Sequence, residues 1–316
     1  VAPALAGIVF GVDSVPALRN RFEGLGYDEA LAAFAQEPRV RVLLEQGAAT
    51  GEAPGTPAPR SVAEFGSWPV EDATTRTWFL ADGGRLRDDG SPDAPGTDDY
   101  RADPDAVPAT SFEGGGDEIW RADAAYDWPA LAPGTGLGFT SDPFDRDVLL
   151  VGSGSLDLWI SADADDTDLE VTVTEVRPDG QEVYVQSGWL RASHRALDET
   201  ASTALRPVQT HLEADAEPLP AGELTPVRVE VFPFAHPFRR GSRLRVTIDA
   251  PGGNRPVWSF DSISSGETVT VAHGGDTPSR LVLGEITDVA VPGPAPACGA
   301  LRAQPCRTYA PAANGG

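Results

Sequence analysis

The second half of the chain alternates. At 169–176 (LEVTVTEV), Leu169, Val171 and Val173 fall on one side and Glu170, Thr172 and Thr174 on the other. This is the period-two signature of a strand with one apolar face. At 155–163, Leu156, Leu158 and Ile160 alternate with Ser155, Asp157 and Trp159. Further strands are predicted at 138–141, 147–151, 181–190, 225–232, 243–249, 267–272 and 280–286. Turn chemistry separates them, most clearly at Pro178-Asp179-Gly180. Gly152-Ser153-Gly154-Ser155 reads as a β-turn between two strands. So many strands separated by turns predict a mainly β fold, a sandwich or jelly roll with antiparallel sheets.

The first half is mixed. Residues 1–11 read as an extended apolar segment. Residues 27–36 (YDEALAAFAQ) predict a helix, with Leu31 and Phe34 on one face, acids in the first turn and Pro38 beyond its end. Residues 39–44 (RVRVLL) predict a strand carrying Val40 and Val42 on one face. Helix followed by strand is an α/β fragment too small to stand as a domain. Residues 46–60 are rich in Gly and Pro and read as a loop, 74–80 as a strand, and 91–116 as a long irregular connection.

Composition narrows the partners. The 316 residues carry 24 basic against 48 acidic side chains, a net charge of −24, and every basic residue is Arg. Such acidity repels polyanions, which argues against nucleic acid and anionic membrane surfaces as partners. No apolar run approaches the ~20 residues that span a bilayer. The Val start, without Met or a charged leader region, reads as a cut in a longer or processed protein. Cys298 and Cys306 sit close together in the Pro-rich tail, which suggests one disulfide and an oxidising compartment, secreted or cell-surface.

Several phrases, in order, carry a resemblance. They are Gly138-Phe139-Thr140-Ser141, Asp166-Thr167-Asp168, Pro178-Asp179-Gly180, Gly188-Trp189-Leu190-Arg191-Ala192-Ser193-His194-Arg195, FRRGSRLRV at 238–246 and PSRLVL at 278–283. Together they resemble the C-terminal jelly-roll domain of the X-Pro dipeptidyl-peptidase and cocaine-esterase-like family of serine hydrolases. One departure is Ser242, where the family often has His. The resemblance implies a jelly roll packed on an α/β-hydrolase catalytic domain of the same parent chain, acting on a peptide or ester substrate by Ser-His-Asp chemistry. It divides the chain into a hydrolase-domain remnant at 1–48, a linker at 49–66, the jelly roll at 67–290 and a Pro-rich tail with the Cys pair at 291–316. In the family the triad His and Asp precede the jelly roll, so no catalytic residue is assigned here, and no cofactor or metal.

The remaining chemistry reads as structural. A nucleophile elbow needs G-x-S-x-G on a strand-to-helix turn; the 152–155 stretch lacks that spacing and no helix follows. His194 reads as a structural or surface residue at a strand end, His211 as solvated, His236 as a turn residue, and His273 as preceding the Gly274-Gly275 turn. Asp163, Asp165, Asp166 and Asp168 raise a Ca²⁺ loop. The EF-hand pattern fails, however, because its sixth position is Asp168 and its twelfth Thr174. Trp68, Trp78, Trp159, Trp189 and Trp258 are read as core or interface residues before a sugar platform. The expectation is the non-catalytic C-terminal portion of a secreted serine hydrolase, capping its catalytic domain. The alternative is a free-standing module that binds carbohydrate or protein.

Overall fold

The structure, a computed structural model, describes residues 2–13, 15–17, 19–107, 111–113, 116–252 and 261–314. Trp258 lies outside them. Two helices open the chain, α1 (Ala2–Phe10) and α2 (Tyr27–Ala35). Then come β1 (Val40–Leu44), β2 (Ser61–Phe65), β3 (Thr74–Ala81), β4 (Arg85–Arg87), β5 (Gly96–Arg101), β6 (Ser111–Phe112) and β7 (Tyr126–Asp127). The long strands follow: β8 (Gly136–Ser141), β9 (Val148–Ala162), β10 (Asp168–Val176), β11 (Gln181–Arg191), β12 (Thr225–Phe238), β13 (Arg243–Asp249), β14 (Thr268–His273) and β15 (Arg280–Ile286). The short β16 (Cys306–Thr308) closes the series.

One hydrogen-bonded path runs β16-β11-β10-β13-β8-β4-β3-β15-β9-β14-β5, with β12 paired to β9. All these ladders are antiparallel except β4 on β8. The path folds over into a β-sandwich, because its two halves feed one core. Leu169, Val171, Val173, Val246 and Ile248 enter from one half, and Leu156, Leu158, Ile160, Val229, Leu281 and Leu283 from the other. Burial of each such side chain contributes roughly 1.5–3 kcal/mol. A smaller cluster joins Leu44 of β1 and Ala63 of β2 to Leu149, Val151 and Ile286, so the β1–β2 hairpin packs on the outside of the sandwich.

Several elements differ from their sequence expectation. Residues 2–10 are helical rather than extended; the segment carries three Ala and one Leu, strong helix formers. The stretch read as linker contains β2, which pairs with β1 through Val40↔Phe65 to Leu44↔Ser61. The stretch read as irregular contains β5, an edge strand on β14. Its inward positions are Asp98 and Tyr100. The buried carboxylate hides the alternation.

The expected turn at 152–155 is not a turn. β9 runs unbroken from Val148 to Ala162, with a bulge where Val231↔Gly154 gives way to Phe234↔Gly152. Gly152 takes φ +112° there, in open space, while a Cβ on Gly154 would collide with Leu283. Both glycines therefore serve a kinked central strand. β12 likewise continues to Phe238, so His236 is a strand residue and not a turn residue.

Candidate functional site

Ser, His and carboxylate groups converge at one buried place. The Ser242 hydroxyl donates to Glu175 Oε1 at 2.7 Å, and His236 Nε2 lies 3.1 Å from Glu175 Oε2. All three residues are buried. The order is wrong for a nucleophile, because a triad places the imidazole between hydroxyl and carboxylate. Here the carboxylate is the hub. Arg177 Nε adds a third bond to it at 3.0 Å, and the other His236 nitrogen faces Gln304 at 3.2 Å.

Burial pushes the Glu175 carboxyl up. The His236 hydrogen bond and its electrostatic attraction, the Arg177 charge and the Ser242 hydroxyl override this, and hold it lowered to about 2. A folded value below the unfolded one stabilises the protein above about pH 4.5. That contribution, on the order of 3 kcal/mol, is lost as pH falls from 4.5 toward 2. Chemical denaturation between pH 6 and 2 checks it. The acid limb is expected in the wild type and flattened in Glu175→Gln.

The other predicted residues are dispersed. His194 is half-buried in a 3₁₀ turn, and His211 is exposed. His273 is buried with Nε2 3.2 Å from Asp98. Ser153 lies in the β9 bulge, 3.4 Å from Glu230. Asp163, Asp166 and Asp168 of the acidic loop are engaged mostly by residues distant in sequence, and only the Thr167 amide bond to Asp166 is local. Asp163 accepts from the Thr268 amide, and Asp166 from the Thr167 and Ser193 amides and the Ser193 hydroxyl. Asp168 forms a two-bond pair with Arg191 at 2.9 and 3.1 Å. Among the described residues, no group of three or more His, Cys, Asp or Glu could hold a metal ion. Trp78 is buried, Trp159 and Trp189 are half-buried on separate strands, and Trp68 is partly exposed, so these four are spread over unlike environments. An open cleft of about 710 Å³ is rimmed by arginines, but Arg76, Arg87 and Arg146 there already engage Asp88, Asp89 and Glu285.

The Pro-rich tail is held along its length. Cys298 and Cys306 form a disulfide. Arg60, Arg177 and Arg239 donate to the carbonyls of Pro294, Pro296, Pro292 and Gly293. Beyond the disulfide, β16 pairs with the edge of β11. Arg307 stacks on Trp128 at 3.8 Å and reaches Glu182, which also pairs with Arg245. The polar outer face of β10, β11 and β13 is thus buried under the tail with its charges paired. Such groups cost several kcal/mol if left alone.

The N-terminal segment presents the opposite surface. α2 has no buried residue, and its Leu31 and Phe34 (58% exposed) face solvent. In α1, Leu5, Ile8 (77% exposed) and Val9 are exposed. Leu43 and Val62 lie directly opposite each other on the outer face of the β1–β2 hairpin, both exposed. A nine-residue helix without tertiary packing is marginal in water. Apolar faces of this kind mark an interaction surface. Sequence periodicity placed Leu31 and Phe34 on one helix face; Leu5, Ile8 and Val9 were missed because 1–11 read as extended.

The fold is a β-sandwich domain with a buried Ser–Glu–His cluster whose hub is the carboxylate. The chain belongs to the family described as the X-Pro dipeptidyl-peptidase C-terminal non-catalytic domain, whose family model matches residues 32–281. A Mycobacterium bovis protein named as a candidate serine esterase is 29% identical over 195 residues, 58% of this chain and 29% of that protein. A CocE/NonD family hydrolase from Staphylococcus aureus superposes with a TM-score of 0.57 at 21% identity, covering 72% of this chain and 39% of its own. An aminopeptidase from a marine sediment Thaumarchaeota archaeon gives a TM-score of 0.54 at 16% identity, covering 79% and 41%. The chain spans less than half the length of each of these relatives.

Proposed function

We propose that this chain is the non-catalytic C-terminal part of a secreted or cell-surface serine hydrolase of the X-Pro dipeptidyl-peptidase or acyl esterase type. Its role is to cap an α/β-hydrolase catalytic domain in the parent chain and help wall the pocket for a peptide or ester substrate. The observation that carries this reading is the exposed apolar residues that α1, α2 and the β1–β2 hairpin each present. Membership of a family whose members carry this domain beside a catalytic one supports it. On this reading residues 1–48 complete the hydrolase domain, 49–66 lead out of it with the β1–β2 hairpin straddling the division, 67–290 form the jelly roll, and 291–316 form the strapping tail. An oxidising location is supported by the Cys298–Cys306 disulfide.

The test is to produce the parent chain in two pieces, the hydrolase part and this chain, and measure their association. Wild-type pieces are expected to co-elute and recover hydrolysis of an X-Pro or ester substrate. The triple variant Leu5→Ser, Ile8→Ser, Phe34→Ser removes side chains worth roughly 1.5–3 kcal/mol each when buried. It is expected to raise the Kd at least about tenfold while leaving the stability of this chain within about 0.5 kcal/mol. Pieces that do not associate, or a variant that binds as tightly, would refute the reading.

A further inference from the structure

The loop closed by the disulfide is wedged between segments far apart in sequence. Ala300 and Leu301 are buried within it. The Arg302 guanidinium donates to the carbonyls of Gly55 and Trp120 and lies 5.0 Å over the ring of Phe10, at the end of α1. The Arg302 amide donates to Gln46 O, and the Gly55 amide to both Gly47 O and Ala300 O. The Ala122 amide donates to Phe10 O. The fit is close: a Cβ on Gly47 would collide with Ala300 and Arg302 backbone, and one on Gly55 with Ala122. α1, the 46–56 loop and the 116–122 segment therefore meet at one loop, and its Cys298 is exposed.

We propose that the Cys298–Cys306 loop is a redox-sensitive clasp that fixes α1 and the 46–56 loop to the sandwich. A dithiol reductant opens it. The S–S bond breaks, each sulfur gains one electron and one proton, and the dithiol closes to its own disulfide. Freed of its closure, the loop loses the geometry that presents Arg302 to three segments at once. Opening releases α1 without dissolving the β core. Its consequence for docking of a catalytic domain rests on the function proposed above; the clasp itself does not.

Hydrogen exchange on the full 316-residue chain, with no partner present, tests it. Peptides covering 4–12, 46–56 and 118–122 are expected to exchange at least about tenfold faster after dithiothreitol and in the Cys298→Ser, Cys306→Ser variant. β9 and β13 are expected to keep their protection. Arg302→Ala, with the disulfide intact, is expected to loosen the same three peptides, and it decides the matter if the cysteine variant unfolds globally. Unchanged protection of those peptides in reduced protein or in Arg302→Ala overturns the clasp. Because the readout needs no partner, failed docking and a failed clasp are told apart.

Discussion

Gly188→Ala is expected to destabilise the chain by about 3 kcal/mol or more, beyond the usual range for overpacking. Gly188 lies on β11, where β12 crosses, and an added Cβ would sit against the carbonyl carbon and oxygen of Glu230. Neither side can yield cheaply. β11 is fixed to β10 through Val171↔Gly188, and β12 to β9 through Glu230↔Ser155. The fitting control is Gly180→Ala. It sits at φ +82° with nothing near its Cβ position, so it is expected to cost only the ~1–2 kcal/mol of left-handed backbone strain. Urea denaturation of the two variants checks the ranking. Equal costs would mean that the cross-sheet contact is soft.

Glu175→Ala is expected to cost about 3–5 kcal/mol, the range for stripping one partner from a buried charged cluster. The substitution leaves the Arg177 guanidinium, the His236 imidazole and the Ser242 hydroxyl facing the space of the lost carboxylate. All three side chains are shut away from water. Glu175→Gln keeps the shape and one acceptor, so it is expected to recover part of the loss. Thermal denaturation at pH 7 orders the two. An alanine variant within about 1 kcal/mol of wild type would show that the cluster is dispensable.

The sandwich was legible wherever one face of a strand is apolar and the other polar. β10 is the clearest case, since its inward Leu169, Val171 and Val173 meet partners of the same kind. Legibility failed where an inward position is polar, or a strand is kinked by glycine. Asp98 of β5 faces inward because His273 waits for it, 175 residues away. Gly152 and Gly154 spell a turn locally, yet the pairing of β12 along β9 carries the strand through.

The phrase at 187–195 was readable as a family marker, and the structure supplies its reasons. Gly188 admits β12, Leu190 enters the core, Arg191 pairs with Asp168, and Ser193 bonds Asp166. Trp189 meets the exposed Phe232 edge-on, their ring centroids 5.2 Å apart. The candidate interface was only half legible. Periodicity exposes a helical face, but whether a core covers it depends on the rest of the fold. The Glu175 hub was not legible at all, because its His236 and Ser242 partners lie 61 and 67 residues away and no local spacing announces them.

On the proposed function, this chain contributes architecture and not a nucleophile. The most direct measurement is labelling of the purified chain by a fluorophosphonate probe, with hydrolysis of an X-Pro anilide and a short-chain ester followed in parallel. No stoichiometric adduct is expected on any serine, Ser153 and Ser242 included, and no hydrolysis above background. A single serine labelled one-to-one, with loss of a measurable activity, would contradict it.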